Sequence, residues 1–229
     1  WFMSDLEIEA LQLSFQVALA AVGFSLPIAI LVAWVLARKT FLGKTFLDGF
    51  VHLPLILPPV VVGYLLLVGL GRNGIVGSFL FDTFGLTFAF TWKGAAVAAA
   101  VMAFPLMVRA IRLSLESVDQ GLEQAARTLG ANPLRVFATV TLPLASPGIL
   151  TGAILGFARS LGEFGATITF VSNIPGETRT LPIALYTLTQ IPGGEAGAFR
   201  LVVISVIVAF AALLVSEMMA RRLKSRLGG

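Results

Sequence analysis

The chain has 229 residues, of which 57% are hydrophobic and only 12% charged, and its mean hydropathy is +0.94. Soluble globular domains carry about 25% charged residues, so this composition excludes that class and indicates an integral membrane protein. Cysteine is absent and His52 is the only histidine, which excludes a disulfide framework, a thiol nucleophile and a histidine-rich metal cluster.

Five apolar segments are long enough to cross a hydrocarbon core, which takes roughly 20 residues of helix. In chain order they are residues 11–37, 49–70, 94–113, 147–171 and 201–219. The first follows acidic residues instead of a basic leader, so we expect it to be retained and not cleaved as a signal peptide. The sequence therefore predicts an all-α polytopic bundle of about five transmembrane helices in a single domain, residues 1–229.

Proline and glycine mark the irregular parts of this bundle. Pro54, Pro58 and Pro59 crowd the start of the second span and predict a kinked or irregular entry, because proline removes a backbone donor. The connections 71–93 and 172–200 are rich in turn residues. Within the second of them, LPIALYTLTQ is typical of a short interfacial helix.

The distribution of basic residues predicts the orientation. Eleven of the 16 lysines and arginines fall on the side that carries the C-terminus and the connections after the first and third spans. The positive-inside rule therefore places the N-terminus outside and the C-terminus in the cytoplasm. The pI near 10 is explained by this topology and does not indicate a nucleic-acid partner.

The cytoplasmic connection 114–146 has a helical pattern of its own. Four apolar residues follow the spacing of one helical face: Leu122, Ala125, Ala126 and Leu129. Gly130 is placed to end this helix in a left-handed conformation, and Asn132 followed by Pro133 is a start signal for a second helix. The connection therefore predicts a helix, a tight turn and a helix, which either docks on a partner or packs on its own bundle.

The fourth span carries two charges at a depth where charge is costly. On a continuous helix, one face holds small and polar residues: Gly148, Gly152, Arg159, Ser160, Glu163 and Thr167. The glycine spacing predicts close helix packing. Arg159 and Glu163 allow two interpretations: an internal ion pair that stabilises the bundle, or a guanidinium that faces an anion pathway and is held in place by the carboxylate. In the second interpretation the candidate pathway residues are Arg159, Ser160, Glu163 and Thr167.

Residues 124–143 resemble the EAA loop of ABC importer permeases. The matching residues are Gln124-Ala125-Ala126, Gly130, Val140 and Leu142-Pro143, with Gln124 in place of the glutamate of the pattern. The resemblance implies that this helix docks on an ATP-binding subunit and couples its motion to the spans. The implied coupling residues are Leu122, Glu123, Gln124, Ala125, Ala126, Arg127, Leu129 and Gly130.

Over nearly its whole length the chain is similar to the molybdate permeases of this superfamily, on segments such as HLPLILPPVVVGYLLL, FARSLGEFGATITF and NIPGETRTLP. The similarity implies a type I importer fold in the bacterial inner membrane, a homodimer, two ATP-binding subunits and a periplasmic molybdate-binding protein. Sulfate permeases share the loop and a similar GEFG segment, so sulfate or thiosulfate stays the alternative substrate, and the sequence does not separate molybdate from tungstate.

The chain itself contains no GxxxxGK[ST] phosphate loop, so ATP and Mg²⁺ are expected on the partner subunit and no cofactor on this chain. It is therefore expected to be a translocation subunit and not an enzyme. A secondary anion transporter is the rival class, but it needs convergent carboxylates for a coupling ion, and only Glu163 lies well inside a span.

Overall fold

The computed structural model describes residues 4–227, and within that range all regular secondary structure is helical, with no β-strand. A five-residue π-helical segment, Phe137–Thr141, lies between α7 and α8. The α-helices are α1 Asp5–Arg38, α2 Lys44–Ile56, α3 Pro59–Leu70, α4 Ile75–Phe84, α5 Trp92–Ser117, α6 Gln120–Thr128, α7 Pro133–Val136, α8 Leu142–Leu144, α9 Ser146–Leu161, α10 Gly165–Val171, α11 Leu181–Thr189 and α12 Glu195–Leu227.

The centre of the bundle is α5, which packs along α1 on one side and α9 on the other. α5 allows close approach because much of its buried surface is alanine, including Ala95, Ala98, Ala99 and Ala103, each 0% exposed. α1 begins in a capping box, in which Ser4 and Glu7 satisfy each other's backbone N–H groups. These two helices therefore form the centre of the bundle.

The predicted small-residue seam of the fourth span is the surface on which α9 packs against α5. Gly148, Gly152 and Gly156 are buried there. A Cβ added at Gly152 would lie 3.0 Å from the Ile111 side chain and 3.1 Å from the Met107 carbonyl oxygen. Glycine is needed because the backbones of the two helices approach too closely for a larger side chain.

Two of the predicted spans are broken. The second divides into α2 and α3, which meet at 113° at Leu57 and Pro58. Both Pro58 and Pro59 lack the N–H that would continue α2, so the predicted kink is a full change of direction. Within residues 4–227, three helices are long and apolar enough to span a membrane, or up to five if each bent pair is one span.

The prediction of one continuous helix over 147–171 is wrong. α9 ends at Leu161, and α10 begins at Gly165 after a three-residue interruption. The reason is local: the Glu163 carboxylate accepts a hydrogen bond from the Ala166 N–H at 2.9 Å and so caps a new helix. Residues beyond the interruption therefore do not continue the face defined by α9.

The two connections with many turn residues also contain helices. α4 lies within 71–93, where the sequence suggested only turns. α11 occupies the predicted LPIALYTLTQ helix, but Leu181, Ile183 and Ala184 are buried against neighbouring helices. By contrast, α12 leaves a long apolar face exposed, including Val206, Ile207, Phe210 and Leu213 at more than 60%.

Candidate coupling and translocation sites

The helix–turn–helix of the long connection has the local geometry that its residues predict. Asp119 caps α6 by accepting from the Gly121 N–H at 2.7 Å. Gly130 has φ +86, and the Ala131 N–H donates back to the Ala126 carbonyl at 3.1 Å. Asn132 then caps α7 by accepting from the Arg135 N–H at 2.8 Å. The turn therefore holds α6 and α7 in a defined relative orientation.

α6 presents apolar residues outward, which is unusual for a short surface helix. Leu122 is 51% exposed, Leu129 is 89% exposed, and Leu134 of α7 is 77% exposed beside them. Ala125 is exposed on the same face and Ala126 is half-buried. We call Leu122, Ala125, Leu129 and Leu134 the α6 surface. Three exposed leucines in so short a segment favour contact with another molecule.

Glu123 departs from the other predicted coupling residues, because its carboxylate points into the protein. It is 8% exposed, whereas Gln124 and Arg127 are exposed. Glu123 Oε1 lies 2.9 Å from Arg38 Nη2 and accepts from Thr141 Oγ1 at 2.8 Å. Glu123 therefore attaches α6 to its own bundle and is not available at the α6 surface.

Arg38 and Leu134 are site residues that the sequence reasoning missed. In the sequence, Arg38 contributes only to the count of basic residues that predicts the orientation. It lies 85 positions from Glu123, so no local spacing connects the two residues. Leu134 follows the predicted start signal of the second helix, Asn132 and Pro133, and this position directly after a turn is the local signal that could have marked it as exposed. Long-range pairing of this kind becomes visible only in the fold.

The predicted pair in the fourth span is formed, across the break between α9 and α10. Arg159 Nη1 lies 2.6 Å from Glu163 Oε2, and Glu163 also caps α10. The Glu163 side chain is 2% exposed and that of Arg159 is 28% exposed. The carboxylate therefore orients the guanidinium, while the Arg159 side chain stays partly exposed.

The other two predicted pathway residues are buried. Ser160 is 5% exposed on the seam between α9 and α5, and Thr167 is 1% exposed on α10. The Ser160 hydroxyl has no hydrogen-bond partner among the described residues. Of the four predicted pathway residues, Arg159 alone has a partly exposed side chain in the single chain.

A groove of about 740 Å³ lies between α1, the α2–α3 bend and α5. Its wall is almost wholly apolar, with Phe24, Phe50, Leu65 and Phe104 among the lining residues. An oxyanion needs hydrogen-bond donors to replace its water, so this groove does not provide an anion path.

The segment NIPGETRTLP uses its polar groups internally. Thr178, which is fully buried, accepts from the Ile174 N–H and donates to the Ser172 carbonyl. Arg179 Nε donates to Asn173 Oδ1 at 2.7 Å, and Glu177 accepts from the Trp92 N–H at 3.1 Å, at the start of α5. The segment is therefore a structured cap on the end of the bundle opposite α6.

The apolar helices and the broken spans define a polytopic helical membrane protein. The chain belongs to the family described as "Binding-protein-dependent transport system inner membrane component", whose sequence pattern matches residues 25–226. This match confirms the family predicted from the EAA-like loop and the predicted all-α permease fold. It also confirms the prediction of an integral inner-membrane protein.

Curated relatives cover almost the whole chain. It is 64% identical to the molybdenum transport system permease protein ModB of Escherichia coli (strain K12) over 226 residues, 99% of each chain. It is 59% identical to ModB of Haemophilus influenzae over 97% of each chain. Similarity to the sulfate transport system permease protein CysT of Salmonella typhimurium is lower, at 38% over 80% of this chain and 66% of that one.

Solved structures with the same fold include chains of ABC transporters. A bacterial ABC transporter involved in alginate import matches with a TM-score of 0.75 at 20% identity, covering 96% of this chain and 81% of that chain. The MetNI methionine ABC transporter in an inward-facing conformation matches with a TM-score of 0.75 at 18% identity, covering 96% and 99%. At these identities the match is evidence for the fold alone.

Proposed function

We propose that this chain is the membrane subunit of an ABC importer that moves molybdate into the cell, driven by ATP hydrolysis in a separate subunit. The substrate is supported by relatives at 64% and 59% identity that are molybdenum permeases, whereas the sulfate permease relative is at 38%. Sulfate is therefore the competing substrate to test, since both are doubly charged tetrahedral oxyanions.

The observation that carries the proposal is the orientation of α6. Its apolar residues Leu122 and Leu129 face out while its acidic residue Glu123 faces in. A short helix with exposed leucines at its tip gains free energy when a partner covers them, at about 25 cal/mol per Å² of apolar surface. An ATP-binding subunit that holds this surface would move α6 when its nucleotide state changes.

The proposed assembly has two copies of this chain, two ATP-binding subunits and a periplasmic molybdate-binding protein. One of the structural neighbours is an alginate transporter in complex with a ligand-bound periplasmic protein. Two-fold symmetry is the commonest closed arrangement of identical subunits, and the long exposed apolar face of α12 leaves surface for lipid or for a second copy. ATP and Mg²⁺ bind the partner subunits.

The proposed orientation places α6 and the C-terminus in the cytoplasm and the N-terminus outside, as the distribution of basic residues predicts. With that orientation, the structured cap formed by residues 172–180 faces the periplasm, where a binding protein arrives. Arg159 is proposed to face the pathway, with Glu163 holding its guanidinium. Affinity there is expected to be weak, because a transported ion must also leave.

Reconstitution in liposomes tests the proposed function. The chain is incorporated with its ATP-binding and molybdate-binding partners, with ATP supplied on the α6 side, and molybdate uptake is measured against the same liposomes without the ATP-binding subunit. We expect uptake only in the complete system, and we expect excess sulfate to compete poorly. Uptake that continues without the ATP-binding subunit would contradict an ABC importer and favour a secondary transporter.

A further inference from the structure

α6 has few attachments to the bundle other than the chain itself. It packs mainly against the π-helical segment and α7, both of which follow it in the sequence. On its N-terminal side it is joined to α5 through Val118 and Asp119, which have extended backbones. A displacement of α6 can therefore bend this connector unless something holds it.

The covalent route from α6 to the next long helix is also bent. It passes through α7, the π-helical segment and α8, and this run meets α9 at an angle of 68°. π-Helical segments interrupt the regular hydrogen-bond pattern and often occur at functional sites. Neither covalent route is a straight, continuous helix that carries a displacement directly into the bundle.

Arg38, at the last residue of α1, provides a third route. Its Nη2 lies 2.9 Å from Glu123 Oε1 on α6 and 3.1 Å from the Val118 carbonyl oxygen in the connector. The side chains of Arg38 and Glu123 are 9% and 10% exposed. One guanidinium therefore holds both α6 and its connector against the end of α1.

Glu123 joins this junction to the π-helical segment as well. Thr141, the last residue of that segment and 2% exposed, donates its hydroxyl hydrogen to Glu123 Oε1 at 2.8 Å. Phe137, its first residue, packs edge-on against Trp34 of α1 at 5.8 Å between ring centroids. α1, α6 and the π-helical segment therefore meet at a single buried carboxylate.

We propose that the Arg38–Glu123 pair is the mechanical link that carries displacement of α6 into α1. The proposal rests on the proposed function of α6 as the docking helix for an ATP-binding subunit. Since α1 packs along α5 and also contacts α9 and α11, a displacement at its Arg38 end reaches most of the bundle. Arg38 and Glu123 are positioning residues, because the proposed link acts on the positions of helices and not on the transported ion.

A buried pair also stabilises the fold, so the test must separate coupling from stability. The measured quantity is the number of ATP molecules hydrolysed per molybdate ion taken up, in liposomes containing equal amounts of the assembled transporter. Glu123→Gln removes the charge but keeps the shape and the hydrogen bond from Thr141. We expect its ATP-to-molybdate ratio to rise at least tenfold, because hydrolysis continues while uptake falls.

The charge-exchange variant Arg38→Glu with Glu123→Arg restores an opposite-charge pair. We expect its ratio to fall back to within about threefold of the native value, because a charged pair again joins α1 to α6. The matched control is Glu116→Gln, which breaks the Arg112–Glu116 pair at the same end of the bundle, within α5 alone. We expect the control to keep the native ratio.

A double-cysteine variant tests the same link without a buried charge. The chain has no cysteine, so Arg38→Cys with Glu123→Cys introduces two unique thiols that a short bifunctional maleimide can join. We expect a high ATP-to-molybdate ratio before cross-linking and a ratio near the native one afterwards. A native ratio in Glu123→Gln, or a high ratio that persists in both the charge-exchange and the cross-linked proteins, would overturn the link.

Leu129→Glu separates failure of the link from failure of the proposed function. If the ATP-binding subunit dissociates in Leu129→Glu while Glu123→Gln couples normally, the docking helix stands and only the link is wrong. If Leu129→Glu transports normally, the proposed role of α6 is wrong.

Discussion

The two ends of α1 each hold a buried ion pair, and the two pairs join very different elements. At the first end, Arg200 Nη2 and Nε both donate to Glu7 Oε1, at 2.8 and 3.1 Å, and this joins α1 to α12. At the other end, Arg38 joins α1 to α6, a nine-residue helix with leucines exposed. One pair connects two long helices, and the other connects a long helix to a small element.

The surroundings of the two pairs explain what each contributes. Glu7 also completes the capping box of its own helix, so its carboxylate fixes the start of α1 as well as α12. Glu123 instead shares its carboxylate with Thr141 of the π-helical segment. The Glu7 pair closes the bundle, whereas the Glu123 pair attaches an element that a partner is proposed to move. Variants at the two ends should therefore affect stability and coupling separately.

The largest expected effect is at the α6 surface. Leu129→Glu places a charge on the most exposed of its leucines, where a partner is proposed to exclude water. We expect loss of the ATP-binding subunit from the purified complex and no measurable uptake, while the chain itself remains folded. Leu42→Glu is the matched control, because Leu42 is fully exposed in the connection between α1 and α2. Equal loss in both variants would show a general effect of charge.

Breaking the pair at the Glu7 end should act on stability instead. Arg200→Ala leaves the Glu7 carboxylate, whose side chain is 4% exposed, without its cation. We expect a loss of about 3 kcal/mol in the free energy of unfolding, the lower end of the range for a broken buried pair because the Arg200 side chain is 31% exposed. Thermal unfolding in detergent measures it. The ATP-to-molybdate ratio of the protein that remains folded should be native. A changed ratio would contradict the claim that the Glu7 pair contributes to stability and not to coupling.

A third ion pair, Arg159–Glu163, combines a buried carboxylate with a partly exposed arginine, and it is proposed to act on the transported ion. Arg159→Ala alone would leave the buried Glu163 carboxylate without its cation and so lower stability. The informative variant therefore combines Arg159→Met with Glu163→Gln. We expect normal assembly and a decrease of roughly tenfold in molybdate uptake, about 1.4 kcal/mol in the barrier, because a pathway donor is lost. Initial uptake rates at several molybdate concentrations measure it. Native uptake in the double variant would assign the pair to stability alone.

The smallest effect is expected at the turn that orients α6. Gly130→Val forces a β-branched residue into a backbone with φ +86, at a cost of about 1–2 kcal/mol. Because relief of that strain tilts α6, we expect the ATP-to-molybdate ratio to rise severalfold. Gly43→Val carries the same kind of strain, at φ +98 with open space around it, in the α1–α2 connection. The control should lose a similar free energy of unfolding and keep the native ATP-to-molybdate ratio. A native ratio in Gly130→Val together with a raised ratio in Gly43→Val would contradict the proposed role of the turn.

Much of the α6 unit was predictable because its signals are local. Gly130, Asn132 and Pro133 specify a left-handed end, a cap and a first helical residue whatever the rest of the chain does. The long apolar helices and the glycine seam of α9 were predictable for the same reason. The outward direction of Leu129 also follows from this local pattern once the turn is in place.

The rest depended on tertiary structure. The break between α9 and α10 was missed because no proline marks it and Glu163 was assigned to the face of a continuous helix, whereas its carboxylate accepts from the Ala166 N–H at the start of a new helix. The 113° turn at Pro58 was predicted only as a kink, because proline determines that a helix stops but not where the next one points. The partner of Glu123 lies 85 positions away, which no local pattern encodes.

Cross-linking at Leu129 tests the central claim most directly. A photoreactive side chain is introduced at Leu129 and, in a second protein, at Ile191, which is 50% exposed in the turn between α11 and α12 at the opposite end. Each is irradiated in the assembled transporter. We predict that Leu129 cross-links to the ATP-binding subunit and that Ile191 does not. Cross-linking of that subunit from Ile191, or none from Leu129, would contradict the assignment of α6 as the docking helix.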